Sequence, residues 1–72
     1  MSLEELLSCR GRLRVLMALV KHGELNISEL ARRSGLNHVT TNKHVKALIE
    51  LGVVNEKRFG RIRLISLNTE KP

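Results

Sequence analysis

Between Asn37 and Lys46 the chain carries side chains whose donors and acceptors match the edges of base pairs. An Asn amide can pair with an adenine edge through both of its ends. A Lys amine can donate to guanine O6 and N7, and Val or Thr can touch a thymine methyl. If this run is helical, each residue advances by about 100° around the axis. With Thr41 at the centre of the inward face, Val39, Lys43, Lys46 and Glu50 lie opposite it, Asn42 to one side and Thr40 to the other. Asn37, His38, Val39, Thr40, Asn42 and Lys43 are then the expected base-reading surface. Lys46, further along, is better placed for a phosphate. Any one of these residues reads equally well as a solvated position of an amphipathic helix. What distinguishes them is that they fall together on a single helix.

Charge is distributed in the same sense. Thirteen Lys+Arg against seven acidic residues leave +6, and every acid is Glu. Residues 28–63 hold eight bases (Arg32, Arg33, Lys43, Lys46, Lys57, Arg58, Arg61, Arg63) against Glu29, Glu50 and Glu56, a surplus of five. Arg32, Lys46, Lys57, Arg58, Arg61 and Arg63 are accordingly expected on phosphate, the last four bracketing a hairpin tip that could straddle a backbone or reach a minor groove. The alternative is a solvated tip whose bases serve solubility. Arg10, Arg12 and Arg14 read as a solvent-facing stripe.

Other chemistry finds little support. His22, His38 and His44 are scattered, there is no Asp, and no turn signal exposes a nucleophile, so an enzyme is not expected. The single Cys9 can form no internal disulfide and offers no paired-thiol site, so neither a metal nor another cofactor is expected. It reads as a small core residue. The longest apolar run is Val15–Val20, far short of a bilayer span, and Met-Ser-Leu-Glu-Glu lacks the layout of a secretory signal. A cytoplasmic protein with no membrane partner is the expectation.

The elements that must position the reading surface follow from caps and periodicity. Seventy-two residues, 42% of them apolar, allow one domain, expected over 1–68 with a loose tail at 69–72. Ser2 and Glu5 form a capping box for a first helix from about 3 to 22, with Leu6, Cys9, Leu13, Leu16, Met17 and Val20 as its inward face and Gly11 as a candidate kink. Asn26 caps a short second helix, closed by Gly35, with Leu25 and Leu30 as a hydrophobic staple. Ala31 and Gly35 suit the tight turn between two crossing helices. Asn37 caps a third helix running to about Leu51, its buried face Thr41, Val45, Leu48 and Ile49. Val53–Arg58 and Arg61–Leu67 then form a hairpin around Phe59-Gly60. Ile62 and Leu64 alternate with Arg61 and Arg63, so Ile65 and Leu67 demand a bulge or a strand covered on both faces. With Glu24-Leu25 as a short first strand, the order describes a mainly α fold with a small β-hairpin. That is a winged helix-turn-helix, three helices plus a wing.

The run Leu36-Asn37-His38-Val39-Thr40-Thr41-Asn42-Lys43-His44-Val45-Lys46-Ala47-Leu48 resembles the recognition helix of ArsR/MarR-type winged-helix transcription regulators. Leu25-Asn26-Ile27-Ser28-Glu29-Leu30-Ala31, Leu51-Gly52-Val53-Val54 and the wing Gly60-Arg61-Ile62-Arg63-Leu64 extend the likeness over roughly residues 11–67, closest to short prokaryotic, especially archaeal, members. The resemblance implies binding of double-stranded DNA, usually as a homodimer, in transcriptional control. Two departures stand out. Thr41 replaces an aliphatic residue, and the paired cysteines of metal-sensing members are missing. For the dimer, Leu3, Leu7, Val15 and Leu19 lie off the expected core face of the first helix and are the predicted two-fold contact. Such a contact would place two third helices about 34 Å apart, one turn of DNA. The same residues could instead pack on Leu67–Pro72 and leave a monomer. Two other functions stay open, a non-specific architectural DNA-binding protein and a winged-helix module that docks on an acidic protein.

Overall fold

Among the described residues six elements follow one another: α1 (Leu3–His22), β1 (Leu25–Asn26), α2 (Ile27–Ser34), α3 (His38–Glu50), β2 (Val54–Phe59) and β3 (Ile62–Leu67). The computed structural model describes residues 3–69, with side chains from Cys9 onward. The tail expected at 69–72 therefore lies, beyond Thr69, outside the described residues. The strands form one antiparallel sheet in the order β1-β3-β2.

Local chemistry explains the helix boundaries. Asn26, with extended backbone, accepts the Glu29 N–H on its side-chain oxygen at 2.8 Å and opens α2. Gly35 closes that helix at φ 68°, in the left-handed region where a Cβ is penalised, and Leu36 N–H returns to the Ala31 carbonyl at 3.1 Å. Asn37 repeats the N-cap for α3, accepting from Thr40 N–H at 2.7 Å. Caps of this kind stabilise a helix end by about 1 kcal/mol each. Here they fix where α3 begins relative to α2.

The core comprises Val15, Ala18, Leu19, Ile27, Leu30, Val45, Leu48, Val54 and Ile65, with Leu16, Leu25, Leu36 and Leu67 packed at its edge. This corrects the expected orientation of α1. Gly11, Val15, Ala18 and Leu19 face inward, whereas Leu13, Met17 and Val20 are 56%, 62% and 70% exposed and Cys9 is exposed as well. Val15 and Leu19 are thus withdrawn from the predicted dimer contact, because they fill the interior of the single chain. The side chains of Leu3 and Leu7, the other two residues of that contact, lie outside the described residues. The deciding feature is small residues. Gly11 and Ala18 let α1 sit close on its neighbours, and the helix runs continuously through Gly11.

Further expectations change in α3 and in the sheet. His44 replaces Ile49 on the buried face of α3, beside Thr41, Val45 and Leu48. The Thr41 hydroxyl donates to the Asn37 carbonyl at 2.8 Å, which satisfies it where an aliphatic residue would otherwise stand. In the hairpin, β2 and β3 pair residue for residue from Val54↔Leu67 to Phe59↔Ile62, without a bulge. Ile65 sets the phase of β3, and Arg63 shares its face while Ile62 is exposed. The turn is Gly60-Arg61 rather than Phe59-Gly60, and β1 begins one residue later than expected.

Candidate nucleic-acid interface

The α2–α3 turn presents the first half of α3 outward. Asn37, His38, Val39 and Lys43 are exposed, as is Lys46 one turn further along, and Thr40 and Asn42 are half-buried. The six residues expected to read bases therefore lie at one end of one helix, with His38, Val39 and Lys43 exposed and Asn42 and Thr40 flanking them on opposite sides. Two of them already have structural tasks. The Asn37 oxygen caps α3, and the Asn42 Oδ1 accepts a hydrogen bond from Arg63 Nη1 at 2.6 Å.

The basic residues divide into paired and unpaired groups. Arg32 and Arg33 both bind the Glu29 carboxylate one turn back on α2. On the wing, Glu56 Oε2 accepts from Arg58 Nε at 2.8 Å and Glu56 Oε1 from Arg63 Nη2 at 2.8 Å. These bonds, the Arg63 one foremost, hold the Glu56 carboxyl below its ordinary pKa, so it stays ionised and anchors both guanidinium groups. Lys43, Lys46, Lys57 and Arg61 are exposed and form no ion pair among the described residues. That places unpaired positive charge on the outer side of α3, on β2 and at the hairpin tip. Of the surplus of five over residues 28–63, α3 and the hairpin carry four and α2 one.

A Glu56–Arg63–Asn42 chain ties the wing to α3. Arg58 and Arg63 stand opposite each other in the ladder, a like-charge pair that would be unfavourable alone. Glu56, two residues along β2, accepts from both. Sequence reasoning missed this link. The only available signal was the shared phase of Arg63 with Ile65 and Leu67, which turns it toward the protein. It also missed buried His44, for which Gly11 was the signal.

Nothing in the site suggests a metal. Among the described residues no group of three or more His, Cys, Asp or Glu is placed to hold one. Nor is any helix among the described residues long and apolar enough to cross a membrane.

The arrangement of a capped third helix, a tight left-handed turn and a basic hairpin agrees with comparisons to known proteins. The sequence model of the MarR family matches residues 10–60. The chain belongs to the MarR family. Its fold is similar to that of a MarR family transcriptional regulator from Silicibacter pomeroyi DSS, with TM-score 0.76 and 28% identity over 83% of this chain and 41% of that one. It is similar, too, to the PcaV transcriptional regulator from Streptomyces coelicolor, solved in complex with its natural ligand, with TM-score 0.77 and 30% identity over 81% of this chain and 43% of that one. No match is found among curated proteins. This MarR chain spans less than half the length of those two regulators. What it shares with them is the winged helix-turn-helix.

Proposed function

We propose that this domain binds double-stranded DNA in a sequence-dependent manner and serves transcriptional control in the cytoplasm, with α3 in the major groove. The observation that carries this reading is the outward face of α3, where His38, Val39 and Lys43 stand exposed at the helix start with Asn42 beside them. A recognition helix contacts base edges with this N-terminal half. Lys46, Lys57 and Arg61 supply the phosphate contacts, and Arg32 and Arg58 join them by exchanging a Glu partner for a phosphate.

The domain acts as a homodimer through α1. With Val15 and Leu19 in the core, the two-fold contact moves to the exposed stripe of Leu13, Met17 and Val20, the last two of which line a groove of about 630 Å³ between α1 and α2. A second copy burying that stripe gives a symmetric protein for a palindromic site.

Selection of bound fragments from a random duplex pool, followed by a salt titration, tests the reading. A recovered consensus with a falling affinity in salt supports it. Salt-dependent binding without a consensus would make the protein architectural. No retention of any duplex at ~50 mM salt would overturn DNA binding altogether.

A further inference from the structure

We propose that Arg63 orients the Asn42 side-chain amide, turning its oxygen to the wing and its amino group to the DNA, so that Arg63 sets a base preference without touching a base. This rests on the DNA-binding reading above and names the chemistry at one position of α3.

A surface Asn can flip end for end, presenting either donor or acceptor. A guanidinium has five N–H donors and no acceptor. The Asn42 atom 2.6 Å from Arg63 Nη1 is therefore Oδ1, and the amide has one orientation. Arg63 is itself held from behind. Its Nη2 donates to Glu56 Oε1 at 2.8 Å, and the two side chains are only 26% and 16% exposed. Glu56 also receives Arg58 Nε at 2.8 Å, so the carboxylate is fixed from both sides. The backbone adds to this, since Arg63 sits in β3, the central strand, two residues before fully buried Ile65.

The consequence concerns which base Asn42 favours. Adenine presents an N7 acceptor beside an N6 donor, and the usual Asn contact answers both. Guanine presents two acceptors, N7 and O6. With Oδ1 occupied and a guanidinium next to it, an approaching N6 amino group meets a positive charge, while O6 is attracted by it. Nδ2 remains to donate. Asn42 in this setting prefers guanine to adenine, the reverse of an unrestrained Asn.

The test uses the intact chain. Fragments selected by the wild-type protein define a consensus, and Asn42→Ala marks the base pair whose identity ceases to matter. Fluorescence anisotropy on duplexes differing only at that pair then compares wild type, Arg63→Met and Arg63→Lys, with thermal melting as the check on folding. Wild type should favour guanine over adenine by about tenfold, within the range of a good base contact. Arg63→Met should erase or invert that ratio, and Arg63→Lys, which keeps a cationic donor, should restore it in part. Should Arg63→Met not fold, Asn42→Asp serves. It retains the bond to Arg63 but has no donor, so it should lose the guanine preference while melting no lower than wild type. An unchanged base order in Arg63→Met or Asn42→Asp, or adenine favoured by wild type, overturns the role of Arg63 and leaves DNA binding standing. A wild-type chain that retains no duplex overturns both.

Discussion

The imidazole of His44 lies against the backbone of Gly11, so that a Cβ at position 11 would stand 2.6 Å from Nε2. His44 is 4% exposed, on the inner face of the helix whose outer face carries Lys43 and Lys46. The spacing of α1 from α3 thus depends on a residue with no side chain.

Gly11→Ala is expected to push α3 outward or force the imidazole from its rotamer. Overpacking of this kind costs about 1–3 kcal/mol, of which helix propensity returns up to ~1 kcal/mol. For a domain this small, each kcal/mol lowers the melting temperature by roughly 4–8 °C. A calorimetric scan checks it: the midpoint should fall, and a raised midpoint, the propensity gain alone, would mean that the contact is slack.

Stability should fall in mild acid for the same reason. Burial, and then the nearby Arg12 charge, lowers the His44 pKa below its ordinary 6.5. Its Nδ1 is buried without a hydrogen-bond partner among the described residues. The unfolded chain therefore takes up a proton that the folded chain refuses. This contribution is complete above pH 6.5 and declines as pH falls from there to the lowered pKa, levelling off below it. Urea midpoints measured from pH 7.5 to pH 5 should decrease, and His44→Gln should flatten the slope between them.

How much of this was legible in the sequence depended on range. The Asn26 and Asn37 caps, the Gly35 stop and the three helices are local chemistry, readable within four or five residues. The face of α1 was not, because the helix has two apolar stripes. Leu13, Met17 and Val20 look as core-like as Val15 and Leu19, and only the packing partners of Gly11 and Ala18 decide between them. The phase of β3 was misread by weighting Ile62 and Leu64 over Ile65 and Leu67. The bond between Asn42 and Arg63 joins residues 21 apart through the wing, and no local pattern encodes it. The candidate reading surface was legible as a set of residues. Its internal wiring was not.

The exposed stripe of α1 makes its own prediction. Met17→Glu or Leu13→Glu places a charge in the proposed two-fold contact without entering the core. Sedimentation at micromolar concentration should show twice the chain mass for wild type and a single chain for either variant. A wild-type monomer would exclude pairing through this stripe at that concentration.

Arg61 sits at the hairpin tip, exposed and without an ion pair among the described residues. Arg61→Ala should weaken binding to all duplexes alike and reduce the slope of log affinity against log salt by about 1. A change confined to one base position would make it a base reader.

The most direct test of α3 as the reading element is the affinity and base preference of Lys43→Ala on the selected duplexes. Removal of this exposed amine should cost about 1–3 kcal/mol, roughly a five- to 150-fold loss, and relax the requirement at a single base pair. Unchanged affinity together with an unchanged consensus would contradict the placement of α3 in the groove.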